Sequence, residues 1–377
     1  MNESLRDKIV ENLARIEAGG LTRKLAAPNG IDLSSNDFLC LAADERVKSA
    51  MISGIAREGV GSTGSRLLRG ERDCFAHLEE QFARWKKTDG ALYFNSGYQA
   101  NVGLLTAFLE DGDTVFSDEF NHASIIDGIR LSKAKRVIFK HLGVSEIGKL
   151  LRETKTGGQK FLVTESLFSM DGDRAPLREY AEICRATNTN LIVDEAHAVG
   201  VFGASGSGLI EEYGIEDAVF LSMNTAGKAL GASGAFVAGD DWAIEYLTNK
   251  ARSFIFSTAP LPAIADALQT SIKIARDENE RREKLLNLSR FFRESLNENG
   301  VKVSLENSQI VPVLIGESKK AVKIAERLQA KGFDVRAIRP PTVAENTARL
   351  RVSLNVGLSE EILREFVNNL KEIIAAN

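Results

Sequence analysis

Cysteine is scarce in this chain. Its three thiols, Cys40, Cys74 and Cys184, stand far apart among 377 residues. Their spacing holds no zinc pattern and no redox pair, so neither a metal site nor a disulfide framework is expected, and a reducing, cytoplasmic compartment fits. An excess of one charge is also missing. Lys and Arg total 48 against 52 Asp and Glu, a formal net charge of −4. No global basic field favours nucleic acid or anionic lipid, and an anionic substrate must be met by local cations. No apolar run approaches the length of a membrane span. The opening MNESLRDKIVENLARIE is charged throughout and lacks the apolar stretch of a secretory signal. Two nucleotide signatures are absent as well. DEAH at 194–197 would suggest a helicase box only with an upstream GxxxxGK[ST] loop, which does not occur. Gly203, Gly206 and Gly208 follow an acidic strand and do not open a helix between strands, as a dinucleotide fingerprint does.

What is present is ordinary globular material: 44% hydrophobic and 27% charged residues, enough for a large core. Leu5, Ile9, Leu13 and Ile16 share one face of a helix expected over 4–18, which Gly19-Gly20 stops. Such a helix needs a surface to lie on, from the body of the chain or from a partner subunit. From residue 90 onward short apolar runs recur at 91–94, 114–118, 136–139, 161–165, 191–195, 219–223 and 235–239, with helical segments between most of them. Alternating strand and helix predicts an α/β domain whose mainly parallel sheet is covered on both faces. After about residue 280 a charged helix leads into strands near 309–314, 333–338 and 349–354, with helices near 318–331 and from about 358. This pattern predicts a separate α+β domain. The expected partition is an N-terminal arm over 1–45, a large domain over 46–280 and a small one over 281–377.

Open α/β sheets bind ligands at the carboxyl ends of their strands. Five runs deliver polar groups there: Ser96-Gly97-Tyr98, Asn121-His122, Ser169, Asp194 with His197, and Thr225 with Lys228. Asp194 ends the apolar run Leu191-Ile192-Val193, and a carboxylate at the rim of a buried strand needs a cationic partner. A protonated pyridine nitrogen is one such partner. His197, three residues on, can reach a ring hydroxyl or be an ordinary loop histidine. Lys228 lies between glycines, either as a surface lysine or as a Schiff-base lysine. On the second reading Gly227 and Gly231 let the backbone approach a flat cofactor. Ser96 and Gly97 open an apolar helix, as a plain N-cap or as a phosphate site. His122, one of four histidines, suits stacking on an aromatic ring or a place in the core. Arg339, just before Pro340-Pro341, is either a solvated arginine or a rigid carboxylate clamp.

In this order, FNSGYQAN, FSDEFNHASIIDGIR, ESLFSMDGD, VDEAHAVGVFGASGSG and NTAGKALGASGA resemble the motif series of the α-oxoamine synthase family. The resemblance runs from about Ser35 to Asn355. It implies the type I fold of pyridoxal-phosphate transferases: a seven-stranded, mostly parallel central sheet with helices on both faces, a smaller C-terminal α+β domain and an N-terminal helical arm. It implies pyridoxal 5'-phosphate as cofactor and decarboxylative condensation of an amino acid with an acyl thioester. IRPPTVAENTARLRVSL is most similar to the tail of the biotin-pathway branch, which implies L-alanine and a pimeloyl-CoA or pimeloyl carrier-protein thioester. Other branches use glycine or serine. Two departures from that branch are Ala226 before the glycine of NTAGK and Ala344-Glu345-Asn346 in place of a Pro-x-Gly turn. The resemblance gives Lys228 the Schiff base and proton transfer, Asp194 the pyridine nitrogen, His197 and Ser169 the 3'-oxygen, and His122 the ring face. Ser96, Gly97, Tyr98 and Thr225 line the phosphate and ring side. Ser257 and Thr258 come from the neighbouring subunit of a homodimer with shared active sites. Arg339 takes the amino-acid carboxylate, and Thr342 and Arg23 the acyl substrate. No metal, nucleic acid or membrane is implied.

Overall fold

The computed structural model describes residues 3–23 and 25–376. Contacts divide the chain into two compact units. The larger holds Asn36–Ser169 and Asp173–Lys284. The smaller holds the chain up to Ser35, Met170–Gly172, and the chain from Leu285 on. The N-terminal segment thus groups with the C-terminal one.

The larger unit is built on a seven-stranded sheet. Its strands are β1 (Gly90–Phe94), β2 (Thr114–Asp118), β3 (Lys135–Phe139), β4 (Lys160–Glu165), β5 (Thr189–Asp194), β6 (Val219–Thr225) and β7 (Ala235–Gly239), in the order β1-β7-β6-β5-β4-β2-β3. β7 runs antiparallel to both of its neighbours, and the other pairs are parallel. All five residues of β2 and of β7 are buried, because helices cover both faces. Alternation along a strand sorts side chains between those faces. Phe236 stacks on Phe82 of the helix Asp73–Lys86 at 3.9 Å between ring centroids. The next residue, Val237, joins the cluster of Leu104, Leu105, Val115, Ile125, Val163 and Ile192. The outermost strand, β3, shows the charged Lys135 and Arg136 to solvent, which blunts the open sheet edge.

The end of β5 is held from beneath. Glu195, fully buried, meets Lys86 Nζ at 2.5 Å and accepts the Ile210 backbone N–H at 3.1 Å. Gly208 has φ of 132°, and a Cβ there would lie 2.3 Å from the Glu195 carboxylate. Gly208 therefore lets the chain close over a buried ion pair.

In the smaller unit, β8 (Ile310–Gly316), β9 (Arg336–Ile338) and β10 (Ala348–Ser353) form an antiparallel sheet in the order β9-β10-β8. The helices Ser318–Ala330 and Glu360–Ala375 accompany it. Ile31–Asp32 pairs in parallel with Phe333–Asp334, which explains why the N-terminal segment groups here. The first helix, Glu3–Ala18, leaves Leu5, Ile9, Leu13 and Ile16 between 41 and 59% exposed. Among the described residues no helix is long and apolar enough to cross a membrane.

Candidate active site

The carboxyl edge of the large sheet carries a cavity of about 380 Å³. Several separate segments deliver the side chains that line it. After β1 the chain enters the helix Gly97–Phe108 with Ser96 as N-cap, its Oγ accepting the Gln99 N–H at 3.3 Å. The first turn of such a helix presents free N–H groups and the positive end of the dipole, a ready site for an anion. A Cβ on Gly97 would come within 3.2 Å of Thr225 Cγ2, so this turn and the end of β6 lie in contact. The Thr225 hydroxyl is buried and has no hydrogen-bond partner among the described residues.

Asp194, the last residue of β5, is 4% exposed. Its Oδ1 accepts the Ala196 N–H at 2.8 Å, and its Oδ2 accepts from Asn101 Nδ2 at 2.8 Å. His197 is buried three residues on, its ring 6.2 Å from that of Phe38. His122 caps the helix Ala123–Leu131. Its Nδ1 lies 3.2 Å from the Ser124 backbone N and 2.7 Å from Ser124 Oγ. Burial lowers the His122 pKa, the charge of Asp194 opposes that shift and Lys228 reinforces it. Glu165, at the end of β4, is fully buried, and one of its carboxyl oxygens has no partner among the described residues. Burial holds it well above the ordinary carboxylate range, with the charge of Asp194 adding to the shift and Lys228 opposing it.

Lys228 is half-buried in the loop between β6 and β7. Three backbone bonds tighten that loop: Ala226 N to Gly234 O (2.9 Å), Ala232 N to Ala226 O (3.0 Å) and Gly231 N to Lys228 O (2.8 Å). Gly227 lines the cavity as expected. Gly231 serves a different purpose from the expected one. Its φ is +63°, and a Cβ there would lie 2.3 Å from the Ala42 backbone N, so it admits the Leu41-Ala42 backbone and not a flat ligand.

Of the residues expected from sequence, the cavity brings together Ser96, Gly97, Tyr98, His122, Asp194, His197, Thr225 and Lys228. Ser169 sits in a partly exposed turn and is not among the lining residues. Ser257 and Thr258 line a separate small recess, where Gln99 Nε2 donates to Ser257 Oγ and Asn95 Nδ2 donates to the Thr258 carbonyl at 2.9 Å. Asn121 is a structural tie, donating to Ser117 Oγ and the Val163 carbonyl. Arg339, Thr342 and Arg23 belong to the smaller unit. There the Arg339 guanidinium donates to the carbonyls of Gly20 and, at 3.2 Å, Thr22. Thr342 N donates to the Arg339 carbonyl at 3.1 Å, and Arg23 Nη2 stands 3.5 Å from the Pro340 carbonyl. Among the polar lining residues that the sequence did not single out are Asn36, Asn95, Ser124, Glu165 and Ser233, and Asn101 stands behind them, bonded to Asp194 and Ser124. Asn101 did leave a signal, being an amide within the apolar stretch ANVGLLTAFL.

The donor set fits pyridoxal phosphate. An amine can hold the aldehyde, a buried carboxylate can face a pyridinium, an imidazole can cover the ring, and a helix N-terminus beside an unpartnered hydroxyl can take the phosphate.

The fold and site define a type I pyridoxal-phosphate transferase, and the chain belongs to the aminotransferase class I and II family, which matches over residues 28–370. Within it the chain is an α-oxoamine synthase, most like the 8-amino-7-oxononanoate synthases. It is 39% identical to 8-amino-7-oxononanoate synthase of Lysinibacillus sphaericus, covering 98% of both chains. It is 44% identical to that of Anaeromyxobacter dehalogenans, covering 93% of this chain and 91% of the relative. Among solved structures, a serine palmitoyltransferase from S. paucimobilis with a bound pyridoxal-phosphate myriocin aldimine superposes with a TM-score of 0.92. It is 26% identical, with 100% of this chain and 99% of that chain covered.

Proposed function

We propose that this chain condenses L-alanine with a pimeloyl thioester, carried by coenzyme A or a carrier protein, to give 8-amino-7-oxononanoate, CO2 and the free thiol, a step of biotin formation. The observation that carries this reading is the meeting of Lys228, Asp194, His122 and His197 in one cavity at the carboxyl edge of the sheet. Pyridoxal phosphate supplies an aldehyde and an electron-poor ring that takes up charge from the substrate α-carbon.

The side chains of the protein do the rest. Lys228 Nζ would hold the aldehyde, and its amine is the base that would accept the Cα proton of alanine. The Asp194 carboxylate keeps the ring nitrogen protonated. His122 would cover one ring face, and His197 and Ser169 would serve the 3'-oxygen. Ser96, Gly97, Tyr98 and Thr225 take the phosphate side. Ser257 and Thr258 of a second copy of the chain complete that side, so the working unit is a homodimer. Arg339 orients the alanine carboxylate, and Thr342 and Arg23 face the acyl chain. A bond forms between the alanine α-carbon and the thioester carbonyl carbon, and the C–S bond breaks to release the thiol. The carboxylate then leaves as CO2 and the α-carbon regains a proton. Arg339 therefore has to orient the carboxylate without stabilising it so strongly that it cannot leave.

The test is purified protein supplied with pyridoxal phosphate, L-alanine and pimeloyl-CoA, with product read by mass spectrometry. Lys228→Ala is expected to fold, to lose the borohydride-reducible yellow colour and to lose turnover. Normal turnover in that variant removes the assignment. A second reading, with serine or glycine as the amino acid, draws on the close superposition with a serine palmitoyltransferase. Parallel assays with alanine, glycine and serine and several acyl thioesters separate the two, and faster turnover with serine or glycine replaces the first.

A further inference from the structure

Among the described residues, the donors that hold the His122 ring lie at its Nδ1. The backbone N–H of Ser124 lies 3.2 Å from Nδ1, and its hydrogen is fixed by the peptide plane. A backbone N–H can only donate, so Nδ1 must offer its lone pair. The Ser124 hydroxyl lies 2.7 Å from the same nitrogen. That hydroxyl accepts from Asn101 Nδ2 at 3.0 Å, which leaves its own hydrogen for Nδ1. The orientation of the Asn101 amide is in turn set by Asp194, since Nδ2 stands 2.8 Å from a carboxylate oxygen that can only accept. Donation therefore runs outward from Asn101, to Asp194 on one side and through Ser124 to His122 on the other. A proton on Nδ1 would face two donors in a buried site.

We propose that Asn101 and Ser124 are positioning residues that hold His122 as the neutral imidazole with its proton on Nε2. The protonation state stands on this chain alone, and its consequence for catalysis rests on the reaction proposed above. A neutral ring against the cofactor adds no second cation beside Lys228, whose amine must give up its own proton to act as a base.

The groups facing His122 agree with this assignment. Asp194, from the end of β5, favours the charged imidazole, whereas Lys228, from the loop after β6, disfavours it. At Glu165, from the end of β4, the His122 backbone N–H partly offsets the effect of burial. Burial outweighs the pull of Asp194.

The experiment is two-bond 1H–15N correlation spectroscopy on the full chain with selectively 15N-labelled histidine, both cofactor-free and loaded with pyridoxal phosphate. The chain has four histidines, and the His122 signals are those lost in His122→Gln. The expected pattern is an unprotonated Nδ1 and a protonated Nε2 in both forms, unchanged from pH 8 down to pH 5.5. A ring that titrates near 6.5, or one protonated at Nδ1, overturns the proposal without any further variant. Ser124→Ala is expected to raise the protonated fraction of His122 at pH 6 by about 10-fold, equivalent to about one pKa unit. It should also move the acid limb of the kcat/KM profile to higher pH, and Ser124→Thr, which keeps a hydroxyl, should restore both. A Ser124→Ala protein that is less stable but shows wild-type His122 signals assigns Ser124 a purely structural role and overturns its part in the proposal. If the expected spectra appear but no condensation product forms, the proposed reaction fails while the histidine assignment stands.

Discussion

A buried carboxylate costs several kcal/mol unless partners surround it, and Asp194 accepts hydrogen bonds from Ala196 N and Asn101 Nδ2. Neither carries a full positive charge. In the reaction proposed above a protonated ring nitrogen would supply a cation, and on that reading the carboxylate matters more to chemistry than to folding. Asp194→Asn keeps the shape and removes the charge. The expected outcome is a folded protein with turnover lowered about 10²–10⁴-fold and weaker stabilisation by added pyridoxal phosphate in thermal melts. A rate near that of the wild type is incompatible with the proposed role. At this scale the sequence was uneven. Asp194 was legible because it ends an apolar strand. Lys228 was legible only through its neighbouring motifs, since a lysine between glycines is ordinarily a surface residue. Asn101 and Ser124 act through each other across 23 positions of chain, and no spacing rule pairs them.

At the level of elements, the seven strands of the large sheet begin and end within two residues of their expected limits, because their apolar runs are continuous in sequence. The run expected over 333–338 instead splits into Phe333–Asp334 and Arg336–Ile338, which belong to different sheets. Glu195 was expected to continue β5. It turns away to Lys86 instead, and the strand stops at Asp194. The loop after β6 depends on one glycine more than on the other. Gly231 has positive φ and no room for a Cβ, whereas at Gly227 the nearest atom to an added Cβ is 3.7 Å away. Gly231→Ala is therefore expected to lower the urea-unfolding free energy of the cofactor-free protein by about 2 kcal/mol or more, from backbone strain and collision combined. Gly227→Ala is expected to stay within about 0.5 kcal/mol of wild type. Equal losses in the two variants contradict this account.

For the molecule as a whole, a third histidine sets a pH dependence of stability. His141 places Nδ1 2.9 Å from Asp118 and Nε2 2.9 Å from Asp173, so both nitrogens donate and the ring is an imidazolium. Burial alone would lower its pKa, but the hydrogen bonds and charges of the two carboxylates outweigh burial and raise it to about 10. A folded-state pKa above the unfolded value of 6.5 gives stability that is fully present below pH 6.5. That contribution is lost as the pH rises through 10. His141→Gln is expected to be less stable than wild type at pH 6 by about 1–3 kcal/mol. The gap should narrow steadily between pH 7 and pH 10 in urea unfolding, and a gap independent of pH argues against the charged clamp. Asp173 marks where the chain returns to the larger unit after Met170–Gly172, so this bond links points far apart in sequence.

The sequence by itself determined the α/β class, the seven strands and the edge on which the chemistry sits. Periodicity and strand ends are local properties, and the motif order carried the family. Tertiary structure alone decided which of the polar groups at that edge share a cavity, that Gly231 answers to the Leu41-Ala42 backbone, and that Asn101 and Ser124 stand between Asp194 and His122. The physical reason is common to all three. Hydrogen-bond direction and close backbone approach depend on distances between residues remote in the chain, and a linear spacing does not encode those distances.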